Sequence, residues 1–183
     1  LAPLPQPGLT VFHGYTAHKF ESIVIKETMK HFLKEHYEVS FQSGHMFLEI
    51  TQDTKRGDMV YKETMTGVEV MRIVREGKNF KGVGSDGFVR WEVKLKKHFL
   101  GGIDYYLTIH PYPNVTVPLE VRQKALGQDK AIFWNGTAVA TMSRKGELEH
   151  FRRREMVYVA PGMDMLVALG VAWIRIDKNN KAT

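Results

Sequence analysis

Eight histidines are the most versatile chemical groups in this 183-residue chain: His13, His18, His31, His36, His45, His98, His110 and His150. A zinc hydrolase of the common kind needs two of them in the spacing HExxH, and that spacing does not occur. His31 and His36 stand five apart, and in a strand-rich chain they need not share a face. Each reads as a solvated or hydrogen-bonded ring. Ser85-Asp86-Gly87 places a hydroxyl beside a carboxylate, but Asp-Gly is also the sequence of a tight hairpin turn. The glycine-rich stretch GKNFKGVGSDG, residues 77–87, matches neither phosphate-binding fingerprint and has no helix after it to present amides. It reads as a loop, with Lys78 and Lys81 flanking Phe80. With no Cys there is no thiolate nucleophile, no thiolate metal site and no disulfide framework. The expectation is a protein without catalytic residues, bound metal or cofactor.

Cations offer more. Lys94, Lys96 and Lys97, beside His98, form one basic group, and Arg152, Arg153 and Arg154 form a second, with Arg144 and Lys145 near it and Glu147, Glu149 and Glu155 diluting it. Either group suits phosphate, Arg as a bidentate fork and Lys as a point charge. Lysine on a strand edge also serves simply to discourage aggregation. Phe99 and Leu100 follow the first group and precede Gly101-Gly102, which places them at a loop tip. An anionic head-group layer would attract Lys96 and Lys97 while the apolar pair dips in. Nucleic acid fits less well: the formal charge is only +6, and neither a zinc module nor an exposed recognition helix is visible.

The elements that must carry these groups are mostly strands. Tyr37, Val39 and Phe41 alternate with polar residues, and Met46–Ile50, Met59–Tyr61 and Val68–Val74 follow. In the stretch from Phe88 to Lys96, Val89, Trp91, Val93 and Leu95 face one way and charged residues the other. Tyr105–Ile109, Val115–Arg122, Lys130–Trp134, Thr137–Met142 and Glu155–Val159 complete nine to twelve candidate strands, separated by turns rich in Gly and Asn. Trp91, Phe133 and Trp173 read as core, and Tyr112, between Pro111 and Pro113, as a loop tip. The composition, 43% hydrophobic and 25% charged, is that of one folded domain over residues 1–183, with residues 1–10 a proline-rich arm. Leu rather than Met at position 1 leaves room for a processed leader. Asn114-Val-Thr and Asn135-Gly-Thr are sequons that matter only in a secreted protein.

One segment breaks the strand pattern. PGMDMLVALGVAWIRID, residues 161–177, holds ten uncharged residues between Asp164 and Arg175. As a helix they span about 15 Å, half of the roughly 30 Å a bilayer requires, so no transmembrane span is expected. Pro161 and Gly162 punctuate the start, Asp164 puts a negative charge in the first turn, and Arg175 with the DKNNK that follows it marks the exit. Apolar on every side, the helix must be surrounded. Gly170 costs about 1 kcal/mol of helix propensity, which close approach of a neighbouring strand would explain. A closed antiparallel barrel of about twelve strands around this helix satisfies all of these patterns.

The stretches LAPLPQPGLTVF, EVKLKKHFLGGIDYYLTIHP, AVATMSRK and above all YVAPGMDMLVALGVAWIRIDKNN resemble the LURP-one-related family, which is grouped with tubby C-terminal domains and phospholipid scramblases, and look most like its fungal members. The resemblance spans essentially the whole chain. It implies a barrel of about twelve antiparallel strands around a central hydrophobic C-terminal helix. It implies no enzyme activity. Tubby domains bind phosphoinositide head groups through surface Lys and Arg, but those residues do not align onto numbered positions here. Palmitoylation, proposed for scramblases, requires the Cys this chain lacks. The expectations are therefore a non-enzymatic module, cytoplasmic or peripheral at a membrane, that takes phosphoinositide or other anionic lipid. A protein-interaction or structural module in a stress or defence setting is the alternative, and a small-ligand carrier using space inside the barrel ranks last.

Overall fold

The computed structural model describes residues 1–28, 34–99, 101–123, 129–144 and 154–180, with residues 179 and 180 described by their backbone alone. Twelve strands run in chain order: β1 (Glu21–Glu27), β2 (His36–Phe41), β3 (Met46–Gln52), β4 (Met59–Glu63), β5 (Glu69–Glu76), β6 (Asn79–Gly84), β7 (Val89–Lys97), β8 (Ile103–Ile109), β9 (Val117–Gln123), β10 (Lys130–Trp134), β11 (Thr137–Arg144) and β12 (Arg154–Val159). One helix, α1 (Met165–Asn180), follows. Each strand pairs antiparallel with the next, and β1 closes on β12 from Glu21↔Val159 to Lys26↔Arg154. Closure removes every sheet edge. The expected barrel is the observed fold.

Period-two alternation drives the wall. Ile23 and Ile25 of β1, Val39 of β2, Leu48 and Ile50 of β3, Met71 and Ile73 of β5 and Trp91 and Val93 of β7 all point inward and are buried. They meet α1, whose residues from Leu166 to Ile174 are buried on all sides. The helix occupies the barrel interior.

Two strands absent from the sequence-based set, one of them in a stretch read as a loop, belong to the wall. β1 turns Ile23 and Ile25 inward, but Val24 between them is also apolar, which masks the alternation. β6 lies inside the glycine-rich stretch read as a loop. Phe80 is fully buried there, its ring edge-on to Trp173 at 6.0 Å between centroids, and Lys81 pairs with Glu76 at 2.8 Å. Gly82 hides the strand pattern because its missing side chain is what the packing needs: a Cβ there would stand 2.0 Å from the Trp91 indole. Phe133, in contrast, is not core. A register shift between Ile132 and Phe133 leaves its ring half-buried outside the core cluster, under the Arg122 guanidinium at 4.7 Å. Nor does Arg175 mark an exit. The helix continues through Asn180, and Arg175 is buried in an ion pair with Glu155 of β12.

The barrel has two unlike ends. At the arm end, residues 1–20 cross beneath the wall and bury Leu4, Leu9, Val11, Phe12 and Ala17. Asp164, fully buried, holds this plug to the helix. Its Oδ1 accepts from the amides of Leu166 and Val167 (3.0 and 3.1 Å), its Oδ2 from those of Val11 and Phe12 (2.9 and 2.7 Å). The helix cap is therefore shared with a segment more than 150 residues away. At the opposite, exit end α1 leaves among the last residues of the odd-numbered strands and the first of the even-numbered ones, as the Arg75–Asp177 pair at 2.7 Å records.

Candidate functional site

The antiparallel wall brings the β7 group and Arg154 to the exit end. β7 runs toward it and finishes at Lys97; β12 starts from it at Arg154. Around the perimeter they stand apart, with β8, β9, β10 and β11 between them on one side and β1 to β6 on the other. Arg154 is half-buried, opposite Lys26; Arg152, Arg153 and Leu100 lie outside the described residues.

The β7 group is the better formed. Outward alternation exposes Lys94 and Lys96, and the strand end exposes Lys97. Their partners across the ladder are Tyr106, Asp104 and Ile103 of β8. Asp104 is engaged by His98 Nε2 at 2.5 Å. Phe99 sits at the hairpin tip with its whole side chain in solvent, and the positive φ of Gly101 and Gly102 turns the chain back. Lys34, Lys55, Arg56 and Lys78 are exposed on other connections of the same end. None of these seven cations forms an ion pair among the described residues.

Below this hairpin a groove of about 930 Å³ runs along the outside of β8 to β10 past His98, Asp104, Tyr106, Glu120, Arg122 and Lys130. Its cations are already engaged. Arg122 donates from Nε and Nη2 to the two Glu120 oxygens (2.6 and 2.5 Å), which holds that carboxyl below the usual range. Lys130 Nζ lies 4.3 Å from the centroid of the Tyr105 ring, and burial, then nearby Arg175, pushes its pKa down against the pull of Asp104.

One arrangement resembles catalytic machinery. Thr28 Oγ1 shares a hydrogen bond with His36 Nδ1, and Glu49 Oε2 stands 3.6 Å from His36 Nε2. Hydroxyl, imidazole and carboxylate in line is the order of a nucleophilic triad. His36 is buried, however, and neither the groove above nor the arm-end clefts below are lined by any of the three. The line braces β1, β2 and β3. Among the described residues no three His, Asp or Glu side chains gather as metal ligands, and no helix is long and apolar enough to cross a membrane.

An X-ray structure of a protein from Arabidopsis thaliana, AT5G01750, superposes on this chain with a TM-score of 0.66 over 94% of this chain and 99% of that one. At 16% identity the match shows the fold alone. No family profile matches the chain. No curated protein matches it either.

The signal for the site was local and legible: lysines alternating out of a strand, then Phe beside Gly-Gly. Lys34, Lys55 and Arg56 carry no such signal, and Lys78 is legible only as a loop cation, because only the alternation of strand direction gathers the four at one end.

Proposed function

We propose that the protein is a non-enzymatic module that docks its exit end on anionic membrane lipid head groups, phosphoinositides among them. The observation that carries this reading is the β7–β8 hairpin: an unshielded Phe99 at the tip with unpaired Lys94, Lys96 and Lys97 behind it. Each lysine near an anionic surface contributes about 1 kcal/mol, and a Phe that leaves water adds its apolar burial. The remaining exit-end lysines extend the field over the whole face. A peripheral, cytoplasmic protein of the fungal LURP-one-related type fits this reading, and the C-terminal motif supports it.

Flotation with liposomes of graded anionic content tests it. Wild-type binding should rise with anionic fraction and fall with salt, and K96E/K97E should weaken it by at least about tenfold. Binding unchanged in K96E/K97E would overturn the reading. The alternative, a protein-interaction or structural module in a stress or defence setting, draws on the exposed apolar side chains of the arm end.

A further inference from the structure

The arm end is apolar where the exit end is cationic. Met65 and Val68 on the β4–β5 turn, Phe88 on the β6–β7 turn, and Tyr112 and Val115 between β8 and β9 are all exposed, Met65 by 88% and Phe88 by 69%. These three connections are neighbours around the barrel. Together they expose apolar surface on the scale that marks an interaction site in a folded protein.

The patch is concave. A cleft of about 480 Å³ lies between Phe88 and Tyr112, flanked by Asp86 and Glu92. A second, of about 390 Å³, shares Tyr112 and Asp86 with it and continues to Val68 and Glu69. Three carboxylates thus line the joined clefts. The cations near them are Arg90, 2.5 Å from Asp86; Arg72, which Glu69 shares with Asp53 and Asp58; and Lys81, opposite Glu92 in the ladder but paired with Glu76; His110 stands 3.2 Å from Glu92. The walls are aromatic and the balance of charge is negative.

The described residues contain a shape that answers this cleft: the β7–β8 hairpin, a projecting Phe99 with Lys96 and Lys97 behind it on one strand. It cannot reach the cleft of its own molecule. β7 alone, Val89–Lys97, separates the two, and nine extended residues span about 30 Å. We propose that Phe99 of one copy seats between Phe88 and Tyr112 of a second copy, with Lys96 and Lys97 facing Asp86 and Glu92. Knob and cleft are different surfaces at opposite ends of one barrel, so a head-to-tail contact leaves a free knob and a free cleft and can repeat. One inserted hairpin is a small interface, so the association is weak and depends on concentration. The inference does not rest on lipid binding and is read in lipid-free buffer.

Sedimentation velocity from micromolar to millimolar protein is the test. The wild-type sedimentation coefficient should climb continuously, without a plateau at dimer. Phe99→Asp and Tyr112→Asp each remove one end and should sediment as monomers. Mixed in equal amounts they should form dimers and stop there, because Tyr112→Asp supplies an intact knob and Phe99→Asp an intact cleft. K96E/K97E and Phe88→Asp repeat the experiment should either first variant fail to fold, as judged by near-ultraviolet circular dichroism. A wild type that stays monomeric into the millimolar range overturns the proposal. So does a mixture that stays monomeric while the wild type associates, or a single variant that associates as the wild type does.

Discussion

Trp91 is held between two missing side chains. A Cβ on Gly82 of β6 would stand 2.0 Å from its indole, and one on Gly170 of α1 would stand 2.3 Å from its Cζ2. The ring is buried, and its Nε1 donates to Met71 Sδ at 3.2 Å, so it has no easy retreat. The two glycines set how closely the helix approaches β6 and β7. On an exposed helix, Gly→Ala stabilises by about 1 kcal/mol. Here the sign should reverse. G170A is expected to cost about 1–3 kcal/mol in urea unfolding, the usual penalty of overpacking. A stabilised G170A would mean that Trp91 is free to move. Nothing in the local sequence around Gly170 names its neighbour, since Trp91 lies 79 positions earlier.

At the scale of elements, α1 is a helix whose first turn is completed by another part of the chain. An acid in that turn is expected from sequence alone, because orphan amides and the helix dipole favour it. The arm's use of the same carboxylate is not, since no short-range pattern links Val11 and Phe12 to Asp164. The arm is tied down elsewhere as well: Leu9 donates to the Gly162 carbonyl at 2.8 Å, and Ala17 to that of Met163 at 2.9 Å. D164A should leave four amides without their acceptor, two of them in the arm. The expected loss is at least about 3 kcal/mol, above the 0.5–2 kcal/mol of an ordinary cap. Limited proteolysis of D164A should cut within residues 1–17 well before the barrel is attacked. A loss under about 1 kcal/mol, with the arm still protected, would show that the arm holds without this carboxylate.

For the whole molecule, two buried carboxyl groups set the pH response. Burial pushes Asp164 up to about 7 against its four amide donors, and Glu155 up to about 7 against Arg175. Between their unfolded values near 4 and about 7, the folded protein binds more protons than the unfolded chain, so stability falls as pH rises through that window. Asp53 and Glu63 act oppositely. Amide and Arg72 hydrogen bonds lower Asp53, hydrogen bonds from Tyr15 and Thr66 lower Glu63, and their contribution is lost only as pH falls below the ordinary carboxylate range. Melting temperature should therefore peak near pH 4–5 and decline toward pH 8, by an amount on the order of a few kcal/mol in stability. A melting temperature that rises from pH 5 to pH 8 would show both groups ionised and well solvated in the folded state.

Strand alternation, glycine-bearing turns and the uncharged run after Asp164 determined the architecture by themselves. Period two dictates a two-faced wall, and a helix apolar all round has nowhere to go but inside it. Trp91, Val93 and Leu95 point inward as their spacing requires, and Lys94 and Lys96 point out; Val89, expected on the inner face, stands half-buried outside the core cluster, because a register shift between Gly82 and Val83 pairs it with Val83. What tertiary structure decided was everything that depends on pairing across the chain. β6 is a strand because Gly82 makes room for Trp91, Arg175 is interior because Glu155 meets it there, and Phe133 leaves the core at a bulge. Gathering cations at one end and exposed apolar residues at the other likewise belongs to the closed meander. Strand direction alternates only once pairing is set, and direction decides which end of the barrel each turn occupies.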